Sequence, residues 1–417
     1  MKVLQINCVY GKGSTGKITA DLHKALLEQG VESVVCYGRG DKVNEPHVYK
    51  TCGELYSKLN NLWSRVTGVM YGGCFFSTNR LIGIIKKEKP DVVHLQCING
   101  YFVNIYRLIT WLKKSGIKTV LTLHAEFMFT ANCGHAFDCE KWKTGCGECP
   151  RLKRETKSWF VDGTARSYRK MQKAFDGFDD HLVVTSVSPW LMERAKGSPI
   201  LGDKHHHVVM NGLDTDVFYP RSESALREEY GLTDKKILFH ATPTFTDDPA
   251  HIKGGYYVLK LAEMLKNEPV QIVVAGEPKT GMSVPANVTL LGRVADQNRL
   301  AEWYSVADAT VIASRRETFS MICAESLCCG TPMVGFKAGG PESISLPQYS
   351  SFVNYGDVEG LCAAIRSTLA QPKDSSAVAA AARAAYDKRQ MAEATLTVYH
   401  ELMKGNDYEE AFGRQSD

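Results

Sequence analysis

Short apolar runs alternate with helix-like segments along most of the chain, and this alternation constrains the fold more than any other feature. Such runs predict buried strands, and the amphipathic segments between them predict helices on both faces of parallel sheets. The pattern therefore predicts an α/β protein with two Rossmann-like domains. The predicted strands form two series: Val3–Cys8, Ser33–Tyr37, Val92–Leu95, Thr119–Leu123 and Leu182–Val187, then Lys236–His240, Gln271–Ala275, Val288–Leu290, Ala309–Ala313 and Met333–Gly335.

The segment VVMNGLDTDVFYPRSES separates the two series. Asn211-Gly212 is a turn signal, and Pro220 interrupts regular structure. A chain of 417 residues is also too long for one ordinary core. We interpret His205–His207 as surface or turn residues. The predicted parts are an N-terminal domain over 1–210 with a cysteine-rich insertion over 131–150, a linker over 211–220, a C-terminal domain over 221–384, and a helix over 385–417 that returns to the N-terminal domain.

Composition and charge exclude several classes of protein. The chain is 44% hydrophobic and 23% charged, as in ordinary globular proteins, and its net charge of +4 does not indicate a nucleic-acid partner. Two basic runs, Lys86–Lys89 and Arg151–Arg154, indicate either a solvated surface or peripheral contact with an anionic membrane face. No run approaches the ~20 apolar residues of a membrane span, and no signal peptide is visible. We expect a cytoplasmic protein, which peripheral contact would place at the inner face of the cell membrane.

A glycine-rich turn follows the first predicted strand. The sequence Gly11-Lys12-Gly13-Ser14-Thr15-Gly16-Lys17 approaches a P-loop, but Ile18 stands where a Mg²⁺-ligating Ser or Thr is required. Glycines let the backbone approach a phosphate or a sugar, so Gly13 and Gly16 are candidate donor-binding residues. Ile18 is then the first core-facing residue of an amphipathic helix. A P-loop NTPase is an alternative that this departure disfavours.

Two glutamates lie in the segment SRRETFSMICAESLCCGTPMVG. Glu317 follows a predicted strand, and Glu325 lies on the helix that comes next. The N–H groups at a helix start suit phosphate or sugar hydroxyls, and carboxylates accept hydrogen bonds from diols. Taken alone, the pair is better interpreted as a capping glutamate and a surface glutamate.

The surroundings of these glutamates resemble the donor-binding signature of the retaining glycosyltransferases of family 4. The signature is E-T-F-S-M-x-x-A-E-S-L-x-x-G-T-P-M-V-G here, and MNGLDTDVFYP, IKGGYYVLKLAEML and VTLLGRVADQNRLAEWYSVADATVIAS resemble further family segments. KPDVVHLQCINGYFVNIYRL and TLHAEFMFTANC resemble the branch that makes capsular and exopolysaccharides, including colanic-acid-type transferases. The resemblance covers nearly the whole chain and implies a GT-B fold, in which two Rossmann-like domains face each other across a cleft.

The resemblance also implies a reaction: retaining transfer of a hexose from a UDP- or GDP-sugar to a saccharide or lipid-linked oligosaccharide, in capsule, exopolysaccharide or envelope glycan synthesis. It implies metal-independent catalysis without a cofactor. Lys253 would neutralise the diphosphate, where charge develops on the leaving group. Glu317 would contact hydroxyls of the transferred sugar, and Glu325 would accept from the ribose. The implied catalytic residues are Glu317, Lys253 and His124, and the other implied donor-binding residues are Arg293, Phe319, Ser320 and Met321.

The chain departs from the family pattern at two places. Family members commonly carry an Arg shortly before the Lys, whereas HATPTFTDDPAHIKGG has none, so Lys253, helix termini and His240 or His251 are the expected sources of positive charge. In the first domain, Ala125 stands where many relatives have Asp. The weaker candidates for the acceptor site are His94, Gln96, Asn99, Tyr101 and Asn104.

Four cysteines in the insertion are spaced C-x₅-C-x₆-C-x₂-C. Two interpretations stay open: a structural zinc site, or reduced or loosely paired thiols. A zinc-dependent nucleic-acid binder is disfavoured by the weak net charge. A non-catalytic sugar- or nucleotide-binding module is disfavoured because the acidic motif is intact. The candidate zinc ligands are Cys133, Cys139, Cys146 and Cys149.

Overall fold

The computed structural model describes residues 1–221 and 224–404 of the chain. The chain divides into two units, one made of residues 1–210 with 391–404, the other of residues 211–390. The predicted junction lies at the same place, but the predicted linker is part of the second unit, where Leu213 pairs with Asp387 in an isolated bridge. Residues 405–417 of the predicted last helix lie outside the described residues.

All strands are parallel to their neighbours. Each of the ten predicted strands is present, and β3, β7 and β13 below were not predicted. The strands are β1 Lys2–Asn7, β2 Glu32–Tyr37, β3 Val48–Lys50, β4 Val92–Leu95, β5 Lys118–Leu123, β6 Leu182–Ser186, β7 His205–Val208, β8 Lys236–Phe245, β9 Val270–Pro278, β10 Val288–Gly292, β11 Ala309–Ile312, β12 Met333–Phe336 and β13 Ser350–Val353.

Helices connect the strands in both units, and two short 3₁₀ segments, Lys141–Lys143 and Pro347–Tyr349, add to them. The α-helices are α1 Gly13–Glu28, α2 Glu54–Thr67, α3 Phe75–Glu88, α4 Ile105–Ser115, α5 Phe127–Thr130, α6 Leu152–Glu155, α7 Thr164–Phe175, α8 Pro189–Lys196, α9 Ser224–Glu229, α10 Gly255–Met264, α11 Gln297–Val306, α12 Met321–Cys328, α13 Gly340–Ile344, α14 Val358–Ala370, α15 Ser375–Tyr386 and α16 Lys388–Lys404.

The first unit contains a seven-stranded sheet in the order β3-β2-β1-β4-β5-β6-β7. His205–His207 form the edge strand β7 beside β6, so the turn alternative is wrong, whereas His205 is exposed as the surface alternative requires. An edge strand pairs on one side only, so polar side chains are tolerated there. Helix α16 returns to this unit, where Met391, Leu396 and Tyr399 pack in one core with residues of β1 and α1.

The second unit contains a six-stranded sheet in the order β10-β9-β8-β11-β12-β13. Both orders start in the middle of the sheet, run to one edge, and then continue on the other side of the first strand. This is the doubly wound arrangement, and its switch points lie between β1 and β4 and between β8 and β11. The prediction of two Rossmann-like domains is therefore confirmed.

Candidate active site

The strongest constellation lies at the switch point of the second sheet, outside the carboxyl ends of β8 and β11. Open α/β sheets bind ligands at such points. Lys253 follows β8, Glu317 follows β11, and Lys253 Nζ lies 2.6 Å from Glu317 Oε1. Their side chains are 25% and 17% exposed, so the pair is accessible but largely shielded from solvent. Two of the three predicted catalytic residues thus meet in the structure.

Glycines hold Lys253 against the end of β11. Gly254 has φ +70°, and a Cβ there would lie 2.0 Å from the carbonyl oxygen of Ala313. A Cβ on Gly255 would lie 2.5 Å from the carbonyl oxygen of Thr246. Because only glycine fits these approaches, the Gly-Gly pair sets the position from which Lys253 reaches Glu317.

Glu317 is fixed through its backbone. Its N–H donates to the carbonyl of Ala338 over 3.0 Å, and its carbonyl accepts from the N–H of Gly340 over 2.9 Å. A Cβ on Gly340 would meet the carbonyl carbon of Thr318 at 2.5 Å, so this contact also requires glycine. The carboxylate therefore projects from a backbone anchored on both sides.

The start of α12 follows directly and carries backbone strain. Ser320 has φ +91°, a value that non-glycine residues rarely adopt, and its Oγ has no hydrogen-bond partner within residues 1–221 and 224–404. Strain of this kind concentrates at ligand sites. The first N–H groups of a helix have no intrahelical acceptor. Phe319, Ser320 and Met321 thus stand at a helix start two to four residues after Glu317, as the donor-site prediction requires.

Glu325 lies one turn into α12 and has a partner that sequence reasoning missed. Tyr304 Oη donates to Glu325 Oε2 over 2.9 Å. Burial, followed by the charge of Glu325, raises the pKa of Tyr304 far above its usual range, so the phenol keeps its proton. The segment around Tyr304 resembles the family, but no local pattern singles out this residue, because its contact with Glu325 depends on α11 packing beside α12.

His240 and Arg293 are two further expected sources of positive charge for the diphosphate. His240 Nδ1–H donates to the carbonyl of Val311 over 3.0 Å, and burial lowers the pKa of His240 to about 4. Burial thus disfavours the charged ring that this expectation requires, and the contribution of His240 to offsetting diphosphate charge stays a prediction; its Nε2 has no hydrogen-bond partner among the described residues. Arg293 is exposed after β10, and among the described residues the side chains of Lys253 and Glu317 pair with each other rather than with Arg293.

In the first unit, the glycine-rich turn links β1 to α1. The helix begins at Gly13, which has φ +65°, and Gly11 N–H donates to the carbonyl of Gly16 over 2.9 Å. A Cβ on Gly16 would lie 3.0 Å from Val9 Cγ2, so the turn is tightly packed. Ile18 is 4% exposed and belongs to the core, as predicted. The turn lies at the carboxyl end of β1, beside the switch point of this sheet.

His124 follows β5 and is oriented by Gln96, which follows β4. His124 Nε2 lies 2.8 Å from Gln96 Oε1, and an amide oxygen only accepts, so the imidazole donates. Burial lowers the pKa of His124 to about 4, which leaves the ring neutral at pH 7. The sequence thus identifies His124 as a site candidate, while the structure assigns Gln96 a positioning contact.

His94 and Asn104 are structural residues in this unit. His94 Nδ1 lies 2.6 Å from Tyr399 Oη and its Nε2 lies 2.6 Å from Thr122 Oγ1, so both ring nitrogens are used inside the core. Asn104 Oδ1 caps α4 by accepting from the N–H of Arg107. Their assignment to the acceptor site is wrong, because neither polar group is available to a substrate.

The stability of the protein is expected to fall as the pH is lowered from 6.5 towards 4. Burial lowers the pKa of His94 to about 3 and that of His124 to about 4, below the ordinary value of 6.5, so the unfolded chain binds protons first. Near pH 4.5, each of these two histidines therefore lowers the free energy of unfolding by roughly 2 kcal/mol relative to neutral pH. Urea denaturation across this range measures the slope. His94→Gln should reduce it and His205→Gln, in the exposed edge strand, should not; equal slopes in all three proteins contradict the assignment.

The cysteine-rich insertion is anchored by a buried ion pair. Arg194 Nε donates to Glu126 Oε1 over 3.0 Å, and the N–H of Ala136 donates to Glu126 Oε2 over 2.5 Å. Glu126 is fully buried, and Trp142 of the insertion packs against Phe129 with ring centroids 5.2 Å apart. The insertion is thus an integral part of the first unit.

The four cysteines of the insertion are free thiols in this structure. Burial raises the pKa of Cys133, and it raises that of Cys146 to about 11. Among the described residues, no three His, Cys, Asp or Glu side chains converge in a way that could hold a metal ion. The cysteines are therefore not arranged as a zinc site here, and structural zinc stays a prediction.

Metal analysis of protein purified without added metal tests the zinc prediction. If the four cysteines form one structural site, the analysis should give about one zinc per chain, because four thiolates complete the coordination of a single ion. Serine replacement of Cys139 and Cys146 together should then release the metal, whereas Cys362→Ser in the second unit should not. A zinc content near zero contradicts the prediction and leaves the thiol interpretation.

Comparisons with known proteins agree with this geometry. A glycosyltransferase family 4 model matches residues 15–217, and a model of group 1 glycosyl transferases matches residues 238–371. The chain is 24% identical to WcaC of Escherichia coli (strain K12), a protein assigned to colanic acid biosynthesis as a glycosyl transferase, over 96% of this chain and 100% of WcaC.

Two solved structures show the same fold over nearly full length. Sucrose-phosphate synthase of Thermosynechococcus elongatus has a TM-score of 0.67 at 16% identity, covering 97% of this chain and 99% of that one. Alr3699/HepE of Anabaena, solved in complex with UDP and glucose, has a TM-score of 0.63 at 15% identity, covering 96% and 100%.

The fold of two doubly wound units, together with both family models, identifies the protein as a GT-B glycosyltransferase. The two matching models together span most of the chain. The protein belongs to the glycosyltransferases of group 1 and family 4.

Proposed function

We propose that this enzyme transfers a hexose, with retention of configuration, from a nucleoside-diphosphate sugar bound at the switch point of the second unit. The 2.6 Å pair of Lys253 and Glu317 beside the start of α12 carries the proposal. It offers a cation, a carboxylate and the N–H groups of a helix start at one place in the fold, which matches a diphosphate attached to a polyol. The complex of the Anabaena relative with UDP and glucose supports a donor of this class.

In the proposed reaction, the bond between the anomeric carbon and the diphosphate oxygen breaks while the acceptor oxygen bonds to the same face. The acceptor proton passes to the leaving phosphate, so no dedicated protein base is required. Lys253 stabilises the negative charge that grows on the diphosphate. Glu317 holds Lys253 in place and accepts from a sugar hydroxyl. His124 is neutral at pH 7 and therefore acts through hydrogen bonds rather than through charge.

The proposed acceptor is a saccharide, in its lipid-linked form, of capsule, exopolysaccharide or envelope glycan synthesis at the inner face of the membrane. The similarity to WcaC along the whole chain supports this choice. Among the described residues, no helix combines the length and the apolar character that a membrane span needs. Contact with a membrane would then be peripheral.

Thermal denaturation with UDP, GDP, ADP and their sugars tests the proposal. We expect one diphosphate and its sugar to raise the Tm, and NMR of the product to show the donor's anomeric configuration. Stabilisation by ATP and Mg²⁺ alone would favour a nucleotide hydrolase instead. An inverted product contradicts the retaining reaction.

Glu325→Gln is expected to weaken binding of the cognate nucleoside diphosphate by about tenfold, because a charged acceptor of the ribose hydroxyls becomes a neutral one. The amide has the same shape and can still accept from Tyr304, so the unfolding transition without ligand should change little. Isothermal titration with the diphosphate measures the loss. Glu263→Gln, an exposed residue of the same unit, is the matched control. Equal affinity of both variants contradicts the ribose role.

A further inference from the structure

Helix α2 of the first unit has its apolar face outward. Its fully buried side chains are two serines, of which Ser57 donates to the carbonyl of Gly100 over 3.0 Å. Leu55 and Leu59 are 72% and 54% exposed, and Leu62 and Val66 continue the same stripe one and two turns on. Helices of globular proteins normally bury such a stripe. The sequence pattern is that of an ordinary amphipathic helix, and only the structure shows that it faces solvent.

Two aromatic segments adjoin this helix. Tyr56 Oη accepts from the N–H of Phe76, and the N–H of Trp159 donates to the carbonyl of Arg65 over 2.8 Å, so both segments are attached to α2. Ten of the sixteen large hydrophobic side chains that are exposed within the described residues lie here, including every exposed Trp and Phe. We name these ten the apolar patch: Leu55, Leu59, Leu62, Trp63, Val66, Phe75, Phe76, Trp159, Phe160 and Val161.

Two of the segments that carry the apolar patch are rich in positive charge. Residues 54–67 and 151–162 together contain six Lys and Arg but three Asp and Glu, although the whole chain is nearly balanced. The acidic residues are already engaged: Glu54 pairs with Arg39, Glu155 with Arg151, and Asp162 accepts from backbone N–H groups. The surplus lies with Lys58, Lys153 and Lys157, which form no ion pair among the described residues.

We propose that the apolar patch docks the enzyme on an anionic lipid bilayer. An amphipathic helix with Trp and Phe on one side and basic residues at its border lies in the interface between headgroups and acyl chains. Unpaired lysines are attracted to anionic headgroups. A second copy of this chain is a poorer occupant, because it would bring the same positive charge against this one. This inference deepens the proposed function by naming the surface that contacts the membrane, and it does not depend on the identity of the donor or the acceptor.

Flotation of the full chain with vesicles tests the docking surface. We expect binding to phosphatidylcholine vesicles that contain about one third phosphatidylglycerol, and weak binding to pure phosphatidylcholine. The double variant Phe76→Ser with Phe160→Ser should bind about tenfold more weakly, because both side chains lose their burial in the bilayer. Each is 78% exposed, so the Tm should be unchanged. Lys58→Glu with Lys157→Glu should weaken binding to the anionic vesicles and reduce its dependence on salt.

Leu27→Ser is the matched control, since Leu27 is an exposed apolar residue of α1 outside the apolar patch. This variant should bind the vesicles like the wild type. Absence of wild-type binding to the anionic vesicles overturns the proposal, as does undiminished binding of the Phe76→Ser, Phe160→Ser variant. Light scattering without lipid tests whether a second copy of the chain occupies the apolar patch instead. If the wild type is a dimer and the Phe76→Ser, Phe160→Ser variant is a monomer, the patch is a dimer interface and the proposal is overturned. Transfer to a water-soluble acceptor should be unaffected in all variants, which separates a failure of docking from a failure of the proposed reaction.

Discussion

Lys253→Ala is expected to lower kcat for sugar transfer by roughly 10²–10³-fold, the range seen when one preorganised group that stabilises transition-state charge is removed. The diphosphate gains negative charge as the glycosidic bond breaks, and the chain lacks the Arg that relatives place near this Lys. Helix N–H groups then provide the rest of the positive potential. The KM for the donor should rise less than kcat falls, because the charge is greatest in the transition state.

Initial rates at saturating donor measure this effect, with thermal denaturation to show that the variant is folded. Lys266→Ala is a suitable control, since Lys266 forms an exposed pair with Glu263 in the same unit. Glu317→Gln should also reduce kcat, and the double variant should be less impaired than the product of the two single effects, because one residue holds the other. An unchanged kcat in Lys253→Ala would falsify the role of Lys253 in stabilising the leaving diphosphate and would indicate that another cation performs it.

Glu126→Ala is expected to lower the free energy of unfolding of the first unit by about 3–5 kcal/mol, because it leaves the buried charge of Arg194 without its partner. The carboxylate also accepts from the N–H of Ala136, so the same change loosens the cysteine-rich insertion. Loss of order there would affect His124, which lies two residues before Glu126.

Urea denaturation followed by near-UV circular dichroism measures the loss, with separate analysis of the two units, since a two-unit chain need not unfold in one step. Glu193→Ala removes a carboxylate of the exposed pair with Lys196, on the same helix as Arg194, and should cost less than about 1 kcal/mol. Similar losses in the two variants would mean that the buried pair contributes no more than a surface pair.

The sequence predicts those parts of this fold that depend on local pattern. Buried strands are continuous apolar runs, so all ten of the predicted strands are present. The three strands that were not predicted, β3, β7 and β13, are all at sheet edges, and β7 consists largely of histidines. The resemblance to family 4 also indicates Lys253 and Glu317, although no local pattern shows that residues 64 positions apart lie within 2.6 Å.

Contacts between distant segments could not be predicted. Tyr304 reaches Glu325 because two helices pack side by side, and His94 is removed from the acceptor site because Tyr399 returns from the far end of the chain. The apolar stripe of α2 is a further case in which local sequence pattern does not determine the contacts. Spacing identifies an apolar face, but only the surrounding structure determines whether that face is covered.

The return of α16 to the first unit has a consequence for synthesis of the chain. Val3 and Leu22 belong to the same core as Met391 and Tyr399, so this core is built from both ends of the polypeptide. When residues 1–210 have left the ribosome, one side of their sheet still lacks its cover, and His94 lacks Tyr399. The second unit, residues 211–390, is continuous and complete earlier. The domain made first is therefore finished last.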